Sequence, residues 1–181
     1  MARSFGYKLM DFFMRKGDPI RYARWCGVHV GKNCKIVDNI LWGDQAYLIT
    51  IGDNTGISYE CAFITHDGGT WAFRRDPGCR DVQRYGAITV GKSCFIGCRS
   101  IILPGVEIGD RAIIGAGSVV SRSVPAGEVW AGNPIRYICK TEDYKRKIIE
   151  NMPPYDMEKL YKDKKSELLK FHGGKIPSER P

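Results

Sequence analysis

Val90, Ile96, Ile102, Ile108, Ile114 and Val120 set a β-branched aliphatic at every sixth position of the chain. The same step links Val30 with Ile36, and Ile51 with Ile57 and Phe63. Four places after most of these stands a small or compact residue: Cys34, Thr55, Cys61, Cys94, Ser100, Val106, Ala112, Ser118 and Val124. Glycine often follows the aliphatic directly, as at Gly31, Gly52, Gly91, Gly97, Gly109 and Gly115. Neither a half-buried strand, with period 2, nor an amphipathic helix, with period 3.6, produces a beat of six. Six residues hold a short strand and a bend, and at roughly 3.3 Å per residue no straight strand runs through so many glycines. The chain is therefore expected to turn every six residues, and three such sides close a triangular coil. Val90 is then expected beneath Ile108, Ile96 beneath Ile114 and Ile102 beneath Val120. The fold class is an all-β solenoid, a parallel β-helix in which each coil buries its face on the next, with compact residues where the backbone bends inward.

The pattern changes at both ends. Asp18-Pro19 reads as a helix start, Asp as N-cap and Pro at the first helical position, and Phe5, Leu9, Phe12, Phe13 and Lys16 trace one face of a short helix before it. An open coil end exposes strand edges, so residues 1–27 are expected to form a helical cap. Residues 28–139 form the coil domain, with an extended loop at 67–87, and 140–181 a helical tail. In the tail Thr141 is expected to cap a helix to about Asn151, Pro153-Pro154 to break it, and Asp156 to cap a second.

The beat also breaks internally. After Phe63 it does not resume until Val90, and the first residues of the gap read THDGGTW. Of the three histidines, His29 precedes the first coil and His172 lies in the tail, which leaves His66 as the one at the break. A lone loop histidine is ordinarily a polar surface residue; the break in the repeat singles this one out. The rest of the excursion is punctuated by glycine and rich in Trp71, Phe73, Tyr85, Arg74, Arg75, Arg80 and Arg84. Its aromatic faces suit a pyranose ring and its arginines an acidic sugar, a nucleotide phosphate or a cofactor phosphate. Packing on a neighbouring subunit explains the same residues equally well.

Composition narrows this only slightly. A net charge of +8 admits an anionic small ligand or nucleic acid, but Lys and Arg crowd into the flanks, where KTEDYKRKIIE alternates them with acids as on a solvated helix face. No nucleic-acid partner is expected. The N-terminal stretch is interrupted by Lys8 and Asp11, so neither a signal peptide nor a membrane span is expected there. Seven cysteines without metal-ligand spacing point to a reduced, cytoplasmic setting and no metal. Cys34, Cys61 and Cys94 occupy the compact slot of the repeat and read as small buried residues.

From Val28 to Cys139 the chain resembles the hexapeptide-repeat, left-handed β-helix acyltransferases, and within them the bacterial sugar and polysaccharide O-acetyltransferases, alongside galactoside and maltose acetyltransferases. The resemblance rests on the repeat, on THDGG, and on VGKSCFIGCRSIILPGVEIGDRAIIGAGSVVSRSVPAGEVWAGNPIRYI with its closing AGNP. It implies a left-handed coil, a homotrimer with active sites at subunit interfaces, and acetyl-CoA as co-substrate. It places His66 as general base, taking a proton from a sugar hydroxyl as that hydroxyl attacks the thioester carbonyl, without a covalent acyl-enzyme. By motif, Cys98 and Ala116 would line the pantetheine arm, Ser121 and Arg122 stand near the cofactor, and Arg136 and Lys140 would meet its phosphates. Asp44, Asp67, Trp71 and Arg74 are the candidate acceptor contacts, Asp67 also a candidate to orient the imidazole. Two positions depart from the pattern: Phe95 stands where the family has Trp, and Cys139 where a basic residue is expected, with Lys140 one step on. An N-acetyltransferase of an amino sugar, or a xenobiotic acetyltransferase, is the alternative on the same fold. A metalloenzyme on this fold needs a histidine cluster that the coils lack. A non-catalytic scaffold, or a nucleic-acid binder driven by the net charge of +8, is the remaining alternative.

Overall fold

The computed structural model describes residues 17–172, so the proposed helix face from Phe5 to Lys16 lies outside the described residues. The described chain falls into two compact units, one running to Glu142 and one from Asp143.

The first unit opens with helix α1 (Pro19–Cys26). The Asp18 carboxylate accepts the Ile20 and Arg21 amides at 3.1 and 3.0 Å, and Gly27 ends the helix at φ 107°. Twelve short strands follow: β1 (His29–Val30), β2 (Lys35–Ile36), β3 (Ile49–Ile51), β4 (Gly56–Ile57), β5 (Ala62–Phe63), β6 (Ile88–Val90), β7 (Phe95–Ile96), β8 (Ile101–Ile102), β9 (Glu107–Ile108), β10 (Ile113–Ile114), β11 (Val119–Val120) and β12 (Glu128–Ala131). Strand β13 (Arg136–Lys140) then turns back antiparallel on β12. The others pair in parallel in three sheets, ordered β1-β3-β6-β9, β2-β4-β7-β10-β12 and β5-β8-β11. Each strand thus lies on the strand one coil later. Val90 pairs with Ile108, Ile96 with Ile114 and Ile102 with Val120, the stacking expected from the beat of six. Ile51, Ile57, Phe63, Val90, Ile96, Ile102, Ile108, Ile114 and Val120 are all at most 2% exposed, so the repeated aliphatics form the continuous core.

Three features of the coil go beyond the repeat. First, the bends sit two residues after the glycines that follow each aliphatic and one before the compact slot, where Asn33, Asn54, Ser93, Arg99 and Arg111 all take φ between 53° and 59°. The earlier glycines are there because successive coils touch: a Cβ on Gly97 would stand 2.4 Å from the Ala116 amide nitrogen. Second, the compact slot does more than fill space. Thr55 Oγ1 donates to Gly91 O at 2.8 Å, Cys61 Sγ to Gly97 O at 3.2 Å, Cys94 Sγ to Gly109 O at 3.1 Å and Ser100 Oγ to Gly115 O at 3.2 Å. Small donors therefore bind one coil to the next at the glycine carbonyls, and Cys61 and Cys94 are buried thiols whose ionisation burial pushes upward. Third, Val124 is not a compact corner residue. The last coil is shorter, and Val124 pairs with Ile108 as the next wall position.

The second unit continues helix α2 (Thr141–Glu150) and adds α3 (Met157–Lys162) and α4 (Lys164–His172). Asp156 caps α3 through the Lys159 amide at 3.2 Å, as expected. Thr141 begins α2, but its hydroxyl donates to Arg111 O at 2.9 Å rather than serving as the cap. Among the described residues no helix is long and apolar enough to cross a membrane.

Candidate active site

The excursion leaves the coil stack and returns at one point. Tyr85 forms an antiparallel bridge with His66, the Asp67 amide donates to Arg84 O at 2.9 Å, and the Gly86 amide to Thr65 O at 2.9 Å. Ile49 still pairs with Ile88 across it, so the stack continues as though the insertion were absent. Within the excursion Asp67 caps a 3-10 helix (Gly68–Phe73) by accepting the Gly69 amide at 2.9 Å. Trp71 is 73% exposed, with the Arg74 guanidinium 5.2 Å from its ring centroid. Arg74 Nε is buried without a partner there. Arg75, Arg80, Phe73 and Tyr85 are exposed on the same segment.

His66 is held at the mouth of this neck. Its Nδ1 lies 3.0 Å from Gln45 Oε1; an amide oxygen only accepts, so this contact calls for the proton on Nδ1 and leaves the Nε2 lone pair free when the ring is neutral. The Tyr85 ring stands beside it, centroids 6.3 Å apart. Asp67 does not orient the imidazole: its carboxylate turns to the Gly69 amide and to Arg84, 3.6 Å away. Adjacent residues on an extended segment point apart, so the neighbour in sequence is not the neighbour in space. Gln45, which the residue pattern did not single out, comes from the preceding coil; the signal in the sequence was the spacing, since Trp42 to Ile51 is nine residues where the beat asks for six. Asp44, beside it in the same corner, is exposed.

His66, Asp67, Gly68 and Arg84 line a cleft of about 290 Å³ with Ile64, Leu103, Pro104 and Ser121. One wall is thus apolar and the other carries the imidazole and an ion pair. Ser121 joins His66 because both follow strands of the β5-β8-β11 sheet; Arg122 is exposed next to Ser121. Cys98 and Ala116 lie elsewhere. They follow β7 and β10 and occupy the corner before that sheet, so one chain does not bring them to His66. Tyr59 stands in the same column as Cys98, and its hydrogen bond to the Cys98 side chain raises the tyrosine's ionisation above its ordinary range. Arg136 lies exposed on β13 and donates only to Ile135 O, at 3.2 Å. Lys140 is not a free cation as expected for a phosphate contact: its ammonium is 2.6 Å from Glu128 Oε1, and Glu128 also accepts Trp130 Nε1–H at 2.8 Å. No group of three or more potential metal ligands occurs among the described residues.

The bacterial transferase hexapeptide family (six repeats) matches residues 87–122. Protein CapG of Staphylococcus aureus is 42% identical over 90% of this chain and 94% of its own length. Galactoside O-acetyltransferase of Escherichia coli (strain K12) is 32% identical over 69% of this chain and 60% of its own. Among solved structures, a maltose O-acetyltransferase from Clostridium difficile 630 superposes with a TM-score of 0.57 at 25% identity, covering 74% of this chain and 83% of that one. The hexapeptide-repeat acetyltransferase VCA0836 of Vibrio cholerae O1 biovar eltor, solved with acetyl coenzyme A, has a TM-score of 0.54 at 19% identity over 74% and 84% of the two chains, a likeness of fold. The chain belongs to the hexapeptide-repeat transferase family and is an acyltransferase of it.

Proposed function

We propose that the protein is an acetyl-CoA-dependent O-acetyltransferase acting on a sugar hydroxyl of a saccharide or polysaccharide precursor. The observation that carries this reading is the imidazole of His66, tied through Nδ1 and lining an amphipathic cleft, with Nε2 left to accept a proton. A sugar O–H held against Nε2 gives up its proton as its oxygen forms a bond to the thioester carbonyl carbon. The resulting oxyanion is met by a backbone N–H, and collapse breaks the carbon–sulfur bond. The CoA thiolate leaves with the proton that His66 holds, and the acetyl ester remains on the sugar. Cysteine chemistry has no part in the transfer. Asp44, Asp67, Trp71 and Arg74 are the proposed acceptor contacts, and Cys98, Ala116, Ser121, Arg122 and Arg136 the proposed cofactor contacts, with Lys140 reaching a phosphate only if it leaves Glu128.

The working unit is a homotrimer of left-handed coils. Two observations support it. Cys98 and Ala116 stand at the corner opposite His66, so a complete site needs a second copy. The sheet between those corners turns Ala62, Ile101 and Val119 outward in one apolar stripe, continued by Leu41. All seven cysteines are free thiols, which supports a reducing, cytoplasmic setting. The test is acetyl-CoA with a panel of sugars, following free thiol and the alkaline lability of the product. His66→Ala is expected to lower kcat by about 10²–10⁴-fold, the range for losing a general base. Wild-type turnover by that variant would overturn the assignment.

A further inference from the structure

The coil that carries Gln45 is longer than the regular coil that follows the excursion. Val30 and Ile51 pair across 21 residues, whereas Val90 and Ile108 pair across 18. The extra residues fall at the corner between Trp42 and Ile51, where Gly43 takes φ 69° and a 3-10 helix (Ala46–Leu48) follows. The wall itself is unaffected: Trp42 stacks on Phe63 with centroids 4.9 Å apart, and Ile49 and Ile51 are buried. What the enlarged corner changes is the place of Gln45. That residue stands at the head of the 3-10 helix, yet its side chain makes no capping bond. It reaches the next coil instead, where its Oε1 meets His66 Nδ1 at 3.0 Å and Thr65 Oγ1 at 3.3 Å.

We infer that Gln45 is a positioning residue for the general base, fixing the His66 tautomer through an enlarged corner of the preceding coil. The hydroxyl of Thr65, a residue 1% exposed, donates to Gln45 Oε1, which identifies that atom as the carbonyl oxygen, and the same oxygen faces His66 Nδ1. Nδ1 must then carry the proton, and Nε2 alone can act as base. Neither neighbouring side chain replaces it, because Asp67 is engaged with Gly69 and Arg84, and Tyr85 meets His66 by its backbone and ring while its hydroxyl turns to Gln83. A neutral amide orients the imidazole without the added stabilisation of the imidazolium that a carboxylate brings. The base is thereby aligned through one ring nitrogen while the other stays open to the acceptor.

This inference rests on the reading of His66 as base, and the experiment separates the two. Side-chain 15N NMR of the three histidines, assigned by loss of one signal in His66→Ala, reads the tautomer without reference to turnover. The wild-type ring is expected to hold its proton on Nδ1 above its pKa, and Gln45→Ala to give a mixture of tautomers. Gln45→Ala should lower kcat about five- to tenfold, the size of one lost hydrogen bond, with KM values within about twofold. Gln45→Glu should restore the Nδ1–H tautomer and move the acidic limb of the kcat/KM profile upward by about one pH unit. A wild-type tautomer in Gln45→Ala, or an unmoved acidic limb in Gln45→Glu, overturns the inference. Full turnover by His66→Ala, with the tautomer still responding to Gln45, removes the catalytic reading and leaves the contact.

Discussion

Gly97 and Gly117 both lie between strands of the coil, but they are constrained by opposite physics. Gly97 has ordinary backbone angles and no room: an added Cβ would stand 2.4 Å from Ala116 N and 2.7 Å from the Gly115 carbonyl carbon. Relieving that overlap moves the coils apart by roughly 1 Å, since carbon–carbon contacts relax only near 3.5–4.0 Å. The Gly97 N–H bond to Ile114 O, now 2.8 Å, would then exceed hydrogen-bonding range. Overpacking of about 1–3 kcal/mol and a lost bond of about 1 kcal/mol give Gly97→Ala a cost of about 2–4 kcal/mol. Gly117 has the reverse condition, φ 70° with nothing within 4 Å of a Cβ. Gly117→Asn should cost under about 1 kcal/mol, because asparagine tolerates that conformation and already holds it at Asn33 and Asn54. Urea unfolding of the two variants at one protein concentration measures both. Gly97→Ala within about 0.5 kcal/mol of wild type, or Gly117→Asn the worse of the two, would refute the assignment of tight contact to one column and turning to the other.

Ser100 donates to Gly97 O and Gly115 O from a fully buried position, so Ser100→Ala should cost about 1–2 kcal/mol by chemical denaturation. Ser100→Cys should cost less, since thiols do the same work at Cys61 and Cys94. The hydrogen bond from Lys140, then that from Trp130, holds the Glu128 carboxyl below its usual range. A depressed folded-state value stabilises the protein above the unfolded value and is lost as pH falls through the folded one. Glu128→Gln should therefore flatten the fall in urea stability below about pH 4.5, while leaving the neutral-to-alkaline portion parallel to wild type.

Much of the scaffold is legible because one side-chain property repeats at a spacing that only a coil explains. Val90 to Val120 predicted their own partners, and Asp18 and Asp156 their own helices. The role of the glycines was not legible, because a residue kept small for a neighbour and one kept small for its φ look alike until the neighbour is placed. Val124 was misassigned because a shortened last coil shifts the register that the count assumes. For the site, His66 was marked by the break in the beat. Asp67 was favoured as its partner by adjacency, whereas Gln45 arrives 21 residues earlier through stacking, a relation that only the coil length records. The Lys140–Glu128 pair was not legible either, because it forms across an antiparallel turn that the repeat does not foreshadow.

The excursion is tied off at its base by Thr65, His66, Asp67, Arg84, Tyr85 and Gly86. Closing a loop costs free energy only logarithmically in its length. The segment between Gly68 and Gln83 can therefore be lengthened, shortened or exchanged for another while the neck keeps the imidazole in place. A coil stack with such a neck is a fixed socket for interchangeable parts, and a segment of other length or sequence can be installed there without disturbing the wall beneath it.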